Sequence, residues 1–265
     1  MSVLSSLQLV ETQQICLHEE HETSRLTHTS MTLVQDGVLR HPPLAMQMTD
    51  GRYLILDGAH RTAALQHLGS RYIPVQVVKQ DELRLDAWEH IVAIGSWFHE
   101  LKKHPELAWH TTPIDGQRPI AEVINSSGET YYLYLKGHES GEQPHLSDTL
   151  RVWHSIVGSY SKTYAVLRRP RGTVQKSAEG TVCLRYPVYA VEELEQLVAQ
   201  GHVMPAGVTR FLVSGRLLNL GIPLSMLMEQ EQVDQADHQG RWMELCRQWE
   251  NKLRLYMEPV YLCEG

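Results

Sequence analysis

Leu54-Ile55-Leu56-Asp57-Gly58-Ala59-His60-Arg61-Thr62-Ala63-Ala64-Leu65 decides the reading of this chain. An apolar run, Tyr53 to Leu56, stops at Asp57-Gly58, and Ala59 to Leu68 carries the apolar spacing of a short helix closed by Gly69. A buried strand thus feeds through a tight glycine turn into a helix. The first amides of a helix have no carbonyl to bond and sit at the positive end of its dipole, so such a turn is a ready anion site. Gly58 lets the backbone approach a phosphate, Arg61 adds a fork of donors, and Asp57 is placed to hold a metal or polarise a hydroxyl.

Working outward, Leu44–Met48 and Tyr53–Leu56 predict a hairpin turned at Asp50-Gly51. Ser24 to Gly37 predicts a helix with Leu26, Ser30, Leu33 and Val34 on one face, and Ile73–Val78 predicts a strand. With an opening strand region at Leu7–Val10 and Ile15, residues 1–85 form an expected α+β domain. Residues 86–265 are expected to form a larger mixed α+β domain. There, residues 81–119 give no clear pattern, and Ile120–Ile124 with Tyr131–Leu135 predict a hairpin. Leu146–Val157 and Val191–Gln200 predict helices, Arg168 to Gly172 a solvated basic loop, and Met204–Phe211 a loop. Arg241–Met257 predicts a closing helix with Trp242, Leu245, Trp249, Leu253 and Tyr256 on one stripe.

Composition narrows the function classes. In 265 residues, Lys+Arg is 24 against Asp+Glu 31, a net charge of −7, which argues against bulk nucleic-acid binding. No apolar run approaches the ~20 residues of a membrane span, and Met1–Val10 lacks the pattern of a signal peptide. The four cysteines, Cys16, Cys183, Cys246 and Cys263, form no C-x-x-C pair. Free thiols in the cytoplasm are the expectation. His18 and His21 beside Glu19 and Glu20 lack matching ligands elsewhere, so no structural metal is expected there. The P-loop, the G-x-G-x-x-G fingerprint, the protein-kinase motifs and G-x-S-x-G are all missing.

Asp57-Gly58-x-His60-Arg61 followed by Ala-Leu, a glycine and Ile73-Pro74-Val75 resembles the ParB/sulfiredoxin superfamily, whose members bind nucleotide phosphates at this turn. Ala59 stands where sulfiredoxins carry their catalytic cysteine, and Gly58-Ala59-His60-Arg61 departs from the Gly-Glu-Arg-Arg of chromosome-partitioning ParB proteins. Within the superfamily the chain is most similar to the free L-serine kinases, those of the staphyloferrin B siderophore pathway in particular. The similarity runs most of the chain, through Leu17-His18-Glu19 with Arg25-Leu26, Arg40-His41-Pro42 and the Asp57–Arg61 turn. It continues through Pro205-Ala206-Gly207-Val208-Thr209-Arg210-Phe211, Ser214-Gly215-Arg216, Leu218-Asn219-Leu220 and Val260-Tyr261-Leu262.

The resemblance implies an ATP-dependent kinase that turns L-serine into O-phospho-L-serine, a precursor for L-2,3-diaminopropionate. It implies Glu19 as general base, with Glu20 the neighbouring rival that spacing alone does not separate. Gly58, Ala59, His60 and Arg61 would hold phosphates, and Thr209, Arg210 and Trp97 would form the serine pocket, with Arg210 suited to grip a carboxylate. Mg²⁺ would arrive with the nucleotide, and Asp57 would hold it or contact the serine hydroxyl. The active site would lie between the two domains. The competing reading is a ParB-like nucleotide-binding regulator associated with DNA and lacking kinase activity.

Overall fold

The computed structural model describes residues 3–21, 23–138, 144–228 and 235–256. The chain opens with β1 (Leu7–Glu11), β2 (Ile15–Leu17), α1 (Thr23–Asp36), β3 (Val38–Leu39), β4 (Leu44–Gln47), β5 (Tyr53–Asp57), α2 (Ala59–His67) and β6 (Tyr72–Val78). It continues with β7 (Leu83–Ala93), α3 (Ser96–Lys102), β8 (Leu107–His110), β9 (Ala121–Ile124), β10 (Thr130–Leu135), α4 (Leu146–Ser161), β11 (Leu167–Pro170), β12 (Thr181–Arg185), α5 (Val191–Ala199) and β13 (Thr209–Val213). It closes with β14 (Ile222–Pro223), α6 (Leu224–Leu227) and α7 (Gln235–Glu250).

These elements divide into two units. The first holds Met1–Cys16, Glu22–Glu82 and Val213–Gly265; the second holds Leu17–His21 and Leu83–Leu212. The chain therefore leaves the first unit briefly for Leu17–His21, leaves it again after Glu82, and returns to it at Val213.

The sheet of the first unit has the order β1-β6-β4-β5-β2, with β4 parallel to β6 and the pairs β1–β6 and β4–β5 antiparallel. The β4–β5 hairpin forms at Asp50-Gly51, as its sequence predicts. Gly51 takes a left-handed φ of 88°, and the Asp50 carboxylate accepts the Arg52 N–H at 3.0 Å. Leu54, Ile55, Leu65, Ile73 and Val75 are fully buried between sheet and helices. On α1, Leu33 and Ser30 are buried, but Val34 is exposed. Eight residues at 100° each place it about 80° off the direction of Leu26, outside the buried stripe.

The second unit is built on a seven-stranded sheet, β11-β7-β12-β9-β10-β8, with β13 also paired to β7. Trp97, Trp153, Tyr160, Tyr186 and Leu133 fill its core. The β9–β10 hairpin and the helices α4 and α5 match the expectations.

The unpatterned stretch at 81–119 contains β7, the longest strand. Its centre places Glu89 and His90 in the core, so no apolar alternation marks it. Glu89 is satisfied by Arg185 and by the N–H groups of Gly172 and Val174, at 2.7 and 3.0 Å. The expected basic loop is corrected accordingly. Arg168 and Arg169 belong to β11, with Arg169 exposed, and the half-buried Arg171 bonds the Glu122 carboxylate at 2.8 Å. The expected loop at Met204–Phe211 turns into strand at Thr209, because β7 offers an unfilled edge there. The closing helix stops at Glu250. Trp242 and Trp249 are buried edge-to-face, while Leu253 and Tyr256 lie beyond its end and Tyr256 is exposed. Val260-Tyr261-Leu262 lies outside the described residues. No helix among the described residues is long and apolar enough to cross a membrane.

Candidate active site

In the first unit, β5 ends at Asp57 and α2 begins at Ala59, with Gly58 as the N-cap at φ 92°. The first intrahelical bond runs from Thr62 N–H to Gly58 C=O at 2.9 Å, so the preceding amides have no carbonyl within the helix. A Cβ on Gly58 would stand 3.0 Å from the Arg61 guanidinium and 3.2 Å from Pro43 Cα, which is a steric reason for glycine beyond the backbone angle. Asp57 is exposed, and its Oδ2 accepts from two guanidinium groups, Arg61 at 3.0 Å and Arg216 at 2.8 Å. Arg61 is itself steadied by the His41 carbonyl at 3.1 Å.

Arg216 arrives on the C-terminal return. The side chain of Gln76, buried on β6, holds that segment by donating to Gly215 C=O at 2.9 Å and accepting Leu217 N–H at 2.8 Å. Asn219 N–H bonds His41 Nδ1 at 2.9 Å. The separate motifs around residues 40, 57 and 216 therefore converge on one anion-ready turn. Among the described residues, no group of three or more His, Cys, Asp or Glu could hold a metal by itself. One exposed carboxylate at the turn fits Mg²⁺, which is held by one or two carboxylates together with phosphate oxygens and water.

In the second unit, Leu17–His21 runs beside Met204. Met204 N–H bonds His18 C=O at 2.7 Å, and Glu20 N–H bonds Met204 C=O at 2.9 Å. This pairing sends the two glutamates in different directions. Glu19 is largely buried, and its Oε2 accepts the Gly207 N–H at 2.7 Å. Glu20 is exposed and reaches His154 on α4 at 3.3 Å. His18 is buried, packs edge-on against Phe211, and bonds Thr209 Oγ1 at 2.8 Å. Glu19 and Thr209 are thus brought together through His18 and Gly207.

Arg210, next on the strand, points to the other face. There it lies over the Trp88 ring at 4.8 Å and pairs with Asp86 at 3.3 Å, so its charge already has an internal carboxylate. Trp97 is not brought to this group. It is 2% exposed in the core, its ring tilted at 57° to that of Tyr160, with its indole N–H on Ala93 C=O at 2.9 Å.

One residue that sequence reasoning missed supports the Gly207 loop from behind. His90 Nε2 bonds Gly207 C=O at 2.7 Å, its Nδ1 faces Tyr160 Oη at 2.7 Å, and Tyr160 Oη faces Tyr186 Oη at 2.8 Å. A carbonyl only accepts, so Nε2 carries the proton. The neutral ring then accepts from Tyr160, whose oxygen accepts from Tyr186. Burial pushes the His90 pKa down to about 4, which keeps the ring neutral. In sequence the only signal is a histidine next to a glutamate in an unpatterned stretch.

No protein-family model matches the chain. It is 35% identical over 258 residues to the ATP-dependent L-serine kinase SbnI of Staphylococcus aureus, covering 97% of each chain. It is 26% identical over 100 residues to an ATP-dependent L-serine kinase of Staphylothermus marinus, covering 36% of this chain and 40% of that protein. The fold superposes on C-terminally truncated SbnI with a TM-score of 0.81 at 33% identity, over 93% of this chain and 98% of that one. A free serine kinase in complex with AMP shares the fold at a TM-score of 0.62 and 17% identity, over 83% of this chain and 93% of that one. The similarity to SbnI over 97% of each chain shows that this chain belongs to the ATP-dependent L-serine kinase family.

Proposed function

We propose that the protein phosphorylates free L-serine with ATP, giving O-phospho-L-serine and ADP. The observation that carries this reading is the Glu19 carboxylate, held by Gly207 N–H at 2.7 Å beside the His18–Thr209 pair. In this reading Glu19 accepts the serine hydroxyl proton as the serine Oγ bonds the γ-phosphorus and the bond to the β,γ-bridging oxygen breaks. Phosphoryl transfer depends mostly on positioning and charge, so a well-held carboxylate with little freedom suits the task. The Glu20 contact with His154 favours Glu19 over its neighbour.

The turn of the first unit takes the phosphates. Its amides at Gly58, Ala59 and His60 bond phosphate oxygens, and Arg61 and Arg216 add charge. Asp57 would hold Mg²⁺ brought with the nucleotide, and the ion would supply charge neutralisation for the phosphates. Thr209 borders the serine beside Glu19, and Arg210 with Trp88 and Asp86 stiffens the strand that carries it. We also assign the first unit to the ParB/sulfiredoxin-like type, supported by its strand–Gly58–helix turn, with Ala59 in the cysteine position. Both named relatives are kinases, so the regulator without kinase activity has no support among them.

The test is a phosphorus NMR time course with Mg²⁺, ATP and L-serine, run beside ADP in place of ATP. O-phosphoserine growing in step with ADP is expected. No phosphoserine with either nucleotide, from folded protein, overturns the reading.

A further inference from the structure

We propose that Arg168 receives the α-carboxylate of L-serine; the proposal rests on the kinase reading above. Arg168 lies on β11 directly opposite His90 on β7, so the two side chains share one face of the sheet. That face meets Gly207. A Cβ on Gly207 would fall 2.4 to 2.6 Å from Nε, Nη2 and Cζ of Arg168, so the guanidinium rests on the bare α-carbon. Gly207 is the residue whose N–H holds Glu19. One glycine therefore carries a carboxylate on its amide and a cation against its α-carbon. Serine has a hydroxyl carbon and a carboxyl carbon two bonds apart, and it needs those two groups at that separation.

Arg216 also has a buried Nε without an acceptor, but the arginines of the two candidate groups other than Arg168 each meet a carboxylate. Arg61 and Arg216 share Asp57, Arg210 has Asp86, and Arg171 has Glu122. Arg168 has no carboxylate partner among the described residues, and its Nε is buried with no hydrogen-bond acceptor. A guanidinium does not shed its proton, so the charge and the unused donors stay in place. A carboxylate satisfies them in a two-point grip. Phosphate is the other oxyanion of the reaction, but the turn of the first unit already supplies its amides and two arginines. Arg168 stands in the second unit with Glu19.

The experiment compares L-serine with L-serinamide, which keeps the hydroxyl and ammonium and lacks the carboxylate, in the wild type and in Arg168→Gln. Removing one partner of a close charge pair costs about 100-fold. The wild type is therefore expected to favour serine over serinamide by about that factor in kcat/KM. Arg168→Gln is expected to lose it through KM for serine, with serinamide turnover and KM for ATP held within twofold. A KM rise for ATP with unchanged serine kinetics overturns the assignment in favour of phosphate. An equal loss on serine and serinamide overturns it in favour of a structural role. If Arg168→Gln does not fold, Arg168→Lys decides, because it keeps the charge and loses the fork; an unchanged serine-to-serinamide ratio then refutes the proposal. A wild type that makes no phosphoserine refutes the kinase reading, which is a separate result.

Discussion

His90 should make the protein acid-labile in a defined window. The ring is 1% exposed, and burial takes its pKa from the ordinary 6.5 to about 4. The unfolded chain binds a proton through that interval and the folded chain does not, so stability is full above about 6.5 and is lost as pH falls towards 4. The fall from 6.5 to about 4 corresponds to about 3 kcal/mol in total, of which about 2 kcal/mol is lost between pH 7 and pH 5. The perturbation is His90→Gln, which keeps an amide donor and acceptor but does not titrate. Urea unfolding followed by tryptophan fluorescence at pH 7, 6 and 5 gives both stabilities. The variant is expected to be weaker at pH 7, since the carbonyl of Gly207 and the tyrosine pair lose their fitted partner. Its deficit should shrink by about 2 kcal/mol by pH 5, because only the wild type carries the penalty of a buried imidazole there. Parallel pH curves, within about 0.5 kcal/mol, would refute the reasoning.

Glu19→Gln keeps an acceptor for Gly207 N–H but removes the base, so kcat should fall by about 10² to 10⁴-fold with KM for ATP held within twofold. Near-normal turnover would move the base to Glu20 or remove it from the mechanism. Asp57→Asn leaves Arg61 and Arg216 without their shared charge and weakens any Mg²⁺ contact. Turnover should drop at least about tenfold when Mg²⁺ is varied, and full activity sinks the role. Gly58→Ala puts a side chain at φ 92° and against Arg61 and Pro43, a strain of about 1–3 kcal/mol. The melting temperature should fall and KM for ATP should rise; a variant that matches the wild type in both would show that the turn tolerates a Cβ.

Local chemistry made half of the candidate site legible. The Asp57-Gly58 stop, the Asp50-Gly51 hairpin and the α2 apolar spacing each act within a few residues, and each appears in the structure where the sequence puts it. Trp97 reads as a pocket aromatic by resemblance but fills the core, because a large ring next to Tyr160 and Phe98 is buried wherever helix and sheet meet. β7 escaped because its central Glu89 and His90 look like surface residues until Arg185 and Gly207 are seen to satisfy them.

The sequence by itself determined the turn and its helix, since hydrogen bonds and φ preferences there span a handful of residues, while the glutamate pair was singled out by the family resemblance alone. Only the tertiary structure decided which glutamate meets Gly207, that Arg216 returns to Asp57, and that Arg168 lacks a carboxylate among the described residues while Arg210 has one. Those outcomes depend on contacts between residues 124 to 188 positions apart. A charged side chain takes whichever partner the fold leaves nearest, and nothing in its own neighbourhood along the chain records that choice.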